Sequence, residues 1–170
     1  MNIKKRQAAI ITIILYAVLL LVVYIFQSMI LPFIRVGGLV PLILPIVSTG
    51  IAISVGRFAG GVSGLFAGMF TDLSLNQPLA LFTVILTISG VVIGTAAETV
   101  FAKKFGTYFI SCVAVLAFCS VVHLLPLFIA GSAPILTLLN TSLWEIVYSL
   151  VFTIPIWLAI RAIVSISAEY

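Results

Sequence analysis

Residues 8–29 run without a single charge, and runs of this kind follow one another along almost the whole chain. An unbroken apolar stretch of roughly 17–25 residues is the length a helix needs to cross a bilayer. Of the 170 residues, 64% are hydrophobic and only 7% charged, against roughly a quarter charged in a soluble domain. A water-soluble core cannot hide that much apolar surface, so lipid is the expected solvent. The reading is an all-α integral membrane protein with a single transmembrane domain over 1–170.

Six spans are expected, at about 8–29, 39–55, 58–73, 79–100, 107–130 and 136–163. The first is too long for a signal peptide and is followed by no small-x-small cleavage site, so it is read as a retained helix. Pro41 and Pro45 fall in the opening turns of the second, where proline is tolerated. The sixth is long enough to tilt, or to kink near Pro155. Between the spans lie short polar or Pro/Gly breaks: LPFIRVGG, SLNQP, FAKKF and GSAP.

The net charge of +4 matters less than its placement. With both termini cytoplasmic, Lys4, Lys5, Arg6, Arg57, Lys103, Lys104 and Arg161 all face inward and only Arg35 faces out. That is a strong positive-inside pattern. The basic residues form no groove-sized patch, which argues against nucleic acid. Arg57, Lys103 and Lys104 are cytoplasmic positive residues whose presence topology alone explains.

Within residues 56–73, GRFAGGVSGLFAGMFTDL, Gly56, Gly60, Gly64 and Gly68 recur at four-residue steps and Asp72 takes the next one. Positions four apart lie nearly in line on a helix, so these glycines form a groove without side chains. Close backbone approach is what drives helix association in lipid. The groove is expected to pack a neighbouring helix of the same chain, or to receive a partner helix. The fourth span repeats the device with Gly90, Gly94 and Glu98. Asp72 is read as a solvated outer helix end or a partner for Arg35, and Glu98 as an inner-interface residue near Lys103, Lys104 and Arg57.

His123 and Glu145 flank the 131–134 turn. At about 1.5 Å per residue both lie roughly 12–15 Å from it, on adjacent helices. Intramembrane ionisable residues usually face the interior and pair. A His123–Glu145 hydrogen bond is expected, with Asn140, Thr141 and Ser142 lining a possible outer polar pocket. Trp144 and Trp157 suit interfacial anchors. Cys112 and Cys119 are about 10 Å apart along one helix, beyond disulfide reach, and read as small core residues.

No metal site, cofactor motif or catalytic constellation is legible: there is no H-E-x-x-H, no P-loop, no G-x-S-x-G with a matched histidine, and one histidine is too few for a metal centre. A non-enzymatic role is expected.

The stretch Gly60-GVS-Gly64-LFA-Gly68-MFT-Asp72-Leu73 resembles the signature of MreD, the rod shape-determining membrane proteins of bacteria. Gln27-Ser28 at the end of the first span, a proline opening the second, Gly56 before the motif, Pro78-Leu79 after the turn and Asn140 opening the last span agree with it. Ala80 departs from it, since a glycine is common there, and so does Glu145. The resemblance covers nearly the whole chain in length, span count and topology. It implies an S-component-like bundle in the bacterial cytoplasmic membrane. It also implies a non-catalytic scaffold of the cell-elongation complex, which links an MreB-like filament and a bitopic MreC-like protein to a SEDS glycosyltransferase and a penicillin-binding transpeptidase. The alternative is the substrate-binding S-component of an energy-coupling-factor vitamin transporter. Against it, Ala8, Ala9 and Ala17 lack the Ala-x-x-x-Ala spacing typical of such proteins. An uncoupled channel or small transporter lacks the repeated polar stripe it would need.

Overall fold

The computed structural model describes residues 3–30, 41–74, 80–99, 105–129 and 135–169. Within these nearly all of the chain is helical, and there is no strand. The elements are α1 (Ile3–Ile25, continued by a π-helical turn, Phe26–Ile30), α2 (Leu44–Val55), α3 (Arg57–Ser74), α4 (Leu81–Thr99), α5 (Phe105–Ile129), α6 (Ile135–Val151) and α7 (Thr153–Glu169).

The bundle is organised around α2. Every residue from Leu44 to Ile53 is buried. A helix apolar on all sides belongs in an interior, and α1, α3, α4, α5 and α7 all pack on it. Gly50 lets α7 and α5 close in: a Cβ there would run into the Ile160 side chain and crowd Tyr108. Tyr108 stacks on Trp157 with ring centroids 4.9 Å apart and donates its hydroxyl to the Ile46 carbonyl at 3.3 Å. Trp157 is thus partly built into the core, whereas Trp144 is exposed. Cys112 and Cys119 are free and fully buried on α5.

The second expected span starts later than its hydropathy suggests. Residues 41–43 are buried but not helical. Their backbone groups, and the first turn of α2, are served by side chains from elsewhere. Leu42 N–H donates to Ser149 Oγ at 3.0 Å, and Ile43 and Leu44 N–H donate to Gln27 Oε1 at 2.9 and 3.1 Å. Gln27 sits on the π-helical turn, fully buried, in line with Tyr16, Leu20 and Val23 on the inward stripe of α1. At 12 residues α2 spans about 18 Å, short of a hydrocarbon core of roughly 30 Å.

Among the described residues, three stretches are long and apolar enough to cross a membrane: Ile10–Met29, Leu81–Thr99 and Phe105–Val122. A fourth is the pair Ser142–Val151 and Thr153–Ile166 taken as one span bent by 41°. Pro155 explains the bend. It has no N–H to give to the Val151 carbonyl, and its ring clashes with that group. The chain answers with a tightened turn, Phe152 N–H to Ser149 O at 3.1 Å, before the helix resumes with Ile156 N–H to Phe152 O. In α3, glycines together with Arg57 and Asp72 dilute the apolar character of a stretch that is otherwise long enough.

Candidate functional site: an acid-capped glycine hairpin

α2 ends at Gly56, whose φ of 116° is left-handed backbone that favours glycine, and α3 starts at the next residue. From there the glycine register faces α4. Gly60 meets Gly90 backbone to backbone, and a Cβ on either would collide with the other's carbonyl oxygen. Gly64 lies against the backbone of Leu86 and Thr87, Gly68 against Phe82 and Thr83, and Gly94 against Gly56 and Arg57. These contacts run in opposite chain directions, so α3 and α4 form an antiparallel hairpin packed backbone against backbone. The groove is filled by α4, with Ala52 of α2 also against Gly60. A partner helix finds no room in it while the hairpin stands.

Each helix of this hairpin ends in a carboxylate that caps the start of the other. Asp72 Oδ1 accepts the Phe82 N–H at 3.1 Å, and its Oδ2 accepts the Thr83 N–H at 2.9 Å and the Thr83 hydroxyl at 2.6 Å. At the opposite end, Glu98 Oε1 accepts the Arg57 N–H at 2.9 Å, and Oε2 stands 3.9 Å from Arg57 Nε. The first turn of a helix presents N–H groups with no partner of their own and the positive end of the macrodipole. In lipid each such group left bare costs several kcal/mol. A carboxylate one helical step beyond the glycines reaches that turn because the glycines have brought the two helices together.

Asp72 is therefore not a solvated helix end: it is buried and holds three donors of α4. Arg35, Lys103 and Lys104 lie outside the described residues. Arg57 is largely exposed at the rim of the hairpin.

The polar residues of the last hairpin do not all converge. Glu145 and Ser142 are buried on α6, while Asn140 is exposed. Five residues separate Asn140 from Glu145, which turns them about 140° apart at roughly 100° per residue. Asn140 thus does not line a pocket with Glu145. The Glu145 carboxylate lies within electrostatic reach of the Cys119 thiol on α5. Ser149, one turn on, donates to the Glu145 carbonyl at 2.7 Å while accepting from Leu42. The side chains of His123 and Thr141 lie outside the described residues, and with them the expected His123–Glu145 bond. Among the described residues no three His, Cys, Asp or Glu side chains gather as a metal centre would need.

Two polar residues have structural roles that the sequence reading did not assign. Gln27 was legible only as part of the Gln27-Ser28 pair in the family resemblance, and Ser149 has no signal at all. Their roles depend on residues 16 and 107 positions away. Comparison with family models, with curated proteins and with solved structures gives no match to this chain.

Proposed function

We propose that this chain is an MreD-like, non-catalytic scaffold of the bacterial cell-elongation complex, a multi-pass protein of the cytoplasmic membrane. One observation carries the reading. Gly60, Gly64 and Gly68 of the Gly60–Asp72 motif pack directly on the α4 backbone, and the Asp72 carboxylate caps the start of α4. A motif spent entirely on rigidity suits a protein that holds others in place. The six-span topology with both termini cytoplasmic belongs to this proposal. In it α3 and α4 cross as a pair, α2 crosses together with the segment before it, and α6 with α7 forms one bent span. The outward apolar faces of α1 and α4 are then free for an MreC-like single span and for a SEDS glycosyltransferase with its transpeptidase. The cytoplasmic rim around Arg57 faces the MreB-like filament.

Co-purification of the tagged chain from its native membrane in mild detergent, with partners identified by mass spectrometry, tests this. Recovery of a bitopic protein with a coiled coil and an outer β-domain supports the scaffold. Recovery of a pair of ATPases with a coupling membrane subunit overturns it in favour of a vitamin-transporter S-component.

A further inference from the structure

A cleft of about 640 Å³ opens between α1 and α3, floored by α2 and walled by Ala17, Leu20, Val62 and Phe66. We propose that it is a binding site for one anionic phospholipid, with the phosphate at Arg57, an ester carbonyl at Tyr16 and one acyl chain along the cleft.

The dimensions select the occupant. Along α1 the cleft runs from Thr12 to Leu20 and along α3 from Arg57 to Phe66. At 1.5 Å per residue that is about 12–14 Å. From Tyr16, at the ester level, to Leu20 the cleft continues for about 6 Å, which seats the upper part of one acyl chain in a leaflet whose hydrocarbon is about 15 Å deep. Beyond Phe66 the two helices are joined by the Tyr24–Phe70 stack, with ring centroids 4.6 Å apart, which bounds the cleft at its deep end. The volume falls in the range of small-molecule sites, roughly 300–1,000 Å³. A helix about 10 Å across would fill on the order of 1,000 Å³ over the same length, so the cleft fits a lipid chain better than a partner helix.

The polar groups sit where a phospholipid needs them. Arg57 lines one end, its side chain 66% exposed and held only by the long 3.9 Å contact to Glu98. Glu98 spends its other oxygen on the Arg57 N–H, so part of its charge serves the α3 terminus. The guanidinium is left with donors for a phosphate, which it binds with directional bonds. Tyr16 is 6% exposed and lines the cleft. Its hydroxyl has no hydrogen-bond partner within 3.5 Å, and Ser54 stands within electrostatic reach of it. A buried hydroxyl without a partner is costly, and a ligand carbonyl satisfies it. Tyr16 is one turn, about 6 Å, deeper than Thr12, which shares the cleft with Arg57. Phosphate and ester groups of one lipid are offset in the same sense.

The site needs the chain to lie in a bilayer but does not need the scaffold role, so a failed partner recovery leaves it standing. The test is native mass spectrometry of the delipidated full chain in detergent, incubated with equal amounts of phosphatidylglycerol and phosphatidylcholine. The expected result is at least fivefold greater retention of phosphatidylglycerol, a ratio near one in Arg57→Gln, weaker retention of both lipids in Tyr16→Phe, and loss of both in Ala17→Trp, which fills the cleft. Where Ala17→Trp does not fold, Val62→Trp fills it from the α3 side. Equal retention by the wild type overturns the proposal, and so does undiminished phosphatidylglycerol binding in the filled variants. Displacement by millimolar glycerol 3-phosphate also overturns it, because it identifies a free-phosphate site.

Discussion

Gly60 and Gly90 touch through their backbones at the crossing of α3 and α4, with no side chain between them. Dispersion acts over short distances, so contact at this separation is the strongest association available to helices whose surroundings are already apolar. It also leaves no slack, because the obstructing atoms are backbone and cannot rotate away.

Gly60→Leu and Gly90→Leu are accordingly expected to separate the hairpin. Overpacking costs about 1–3 kcal/mol where side chains can yield, and here the loss exceeds that range. Thermal unfolding followed by circular dichroism in detergent should show a large drop in Tm or no folded protein. Gly106 provides the control: a Cβ there meets nothing within 4 Å, and Gly106→Ala should leave stability within about 1 kcal/mol of the parent.

Asp72 serves three donors with two oxygens. Asp72→Ala strips the α4 terminus of all of them and is expected to cost at least about 2 kcal/mol. Asp72→Asn keeps one acceptor oxygen and should fall between the two. Denaturant unfolding of the three proteins gives the order; Asn and Ala behaving alike would refute the capping account.

Gln27→Leu is expected to destabilise the chain by roughly 2 kcal/mol, since it leaves the Ile43 and Leu44 N–H groups bare in the core. Hydrogen exchange at the first turn of α2 should accelerate more than at α5, a local signature that simple cavity formation at residue 27 would not produce.

Ala80 precedes α4 with φ of 48°, the only left-handed non-glycine backbone among the described residues. Its Cβ costs roughly 1–2 kcal/mol in that conformation. Ala80→Gly should therefore raise stability by up to about 1 kcal/mol, after subtracting glycine's greater entropy in the unfolded chain. A Tm that falls would contradict this.

Pro155→Ala should reduce the 41° bend between α6 and α7. Spin labels at Val147 and Leu158, both exposed, should move apart in a pulsed dipolar measurement.

Period-four glycines and the acids one step beyond them are visible in the chain itself, because helical periodicity is local. The occupant of the groove is not: α4 is named only by contacts between residues about 15 to 40 positions apart. Span edges were harder still. In lipid a core-facing leucine and a lipid-facing leucine look alike, so hydropathy cannot tell that α2 is an enclosed helix of 12 residues and α1 an outward-facing one. The caps by Gln27 and Ser149 join residues 16 to 107 positions apart; Gln27 was visible only through the family resemblance, which says nothing of its partners, and Ser149 carries no pattern. Ala80 was visible as a departure from the family resemblance, and its backbone gives that departure a physical cost.

The reciprocal caps have a consequence for how the hairpin forms. The start of α3 is completed by Glu98, which emerges from the ribosome 41 residues after Arg57, and the start of α4 by Asp72, which emerges before it. Neither helix is a finished object while it is alone. Taken singly, each helix has a bare first turn and a carboxylate without its donors; taken as a hairpin, each brings the other's missing partner. The two ends are thus completed by the same event, the closing of α3 against α4.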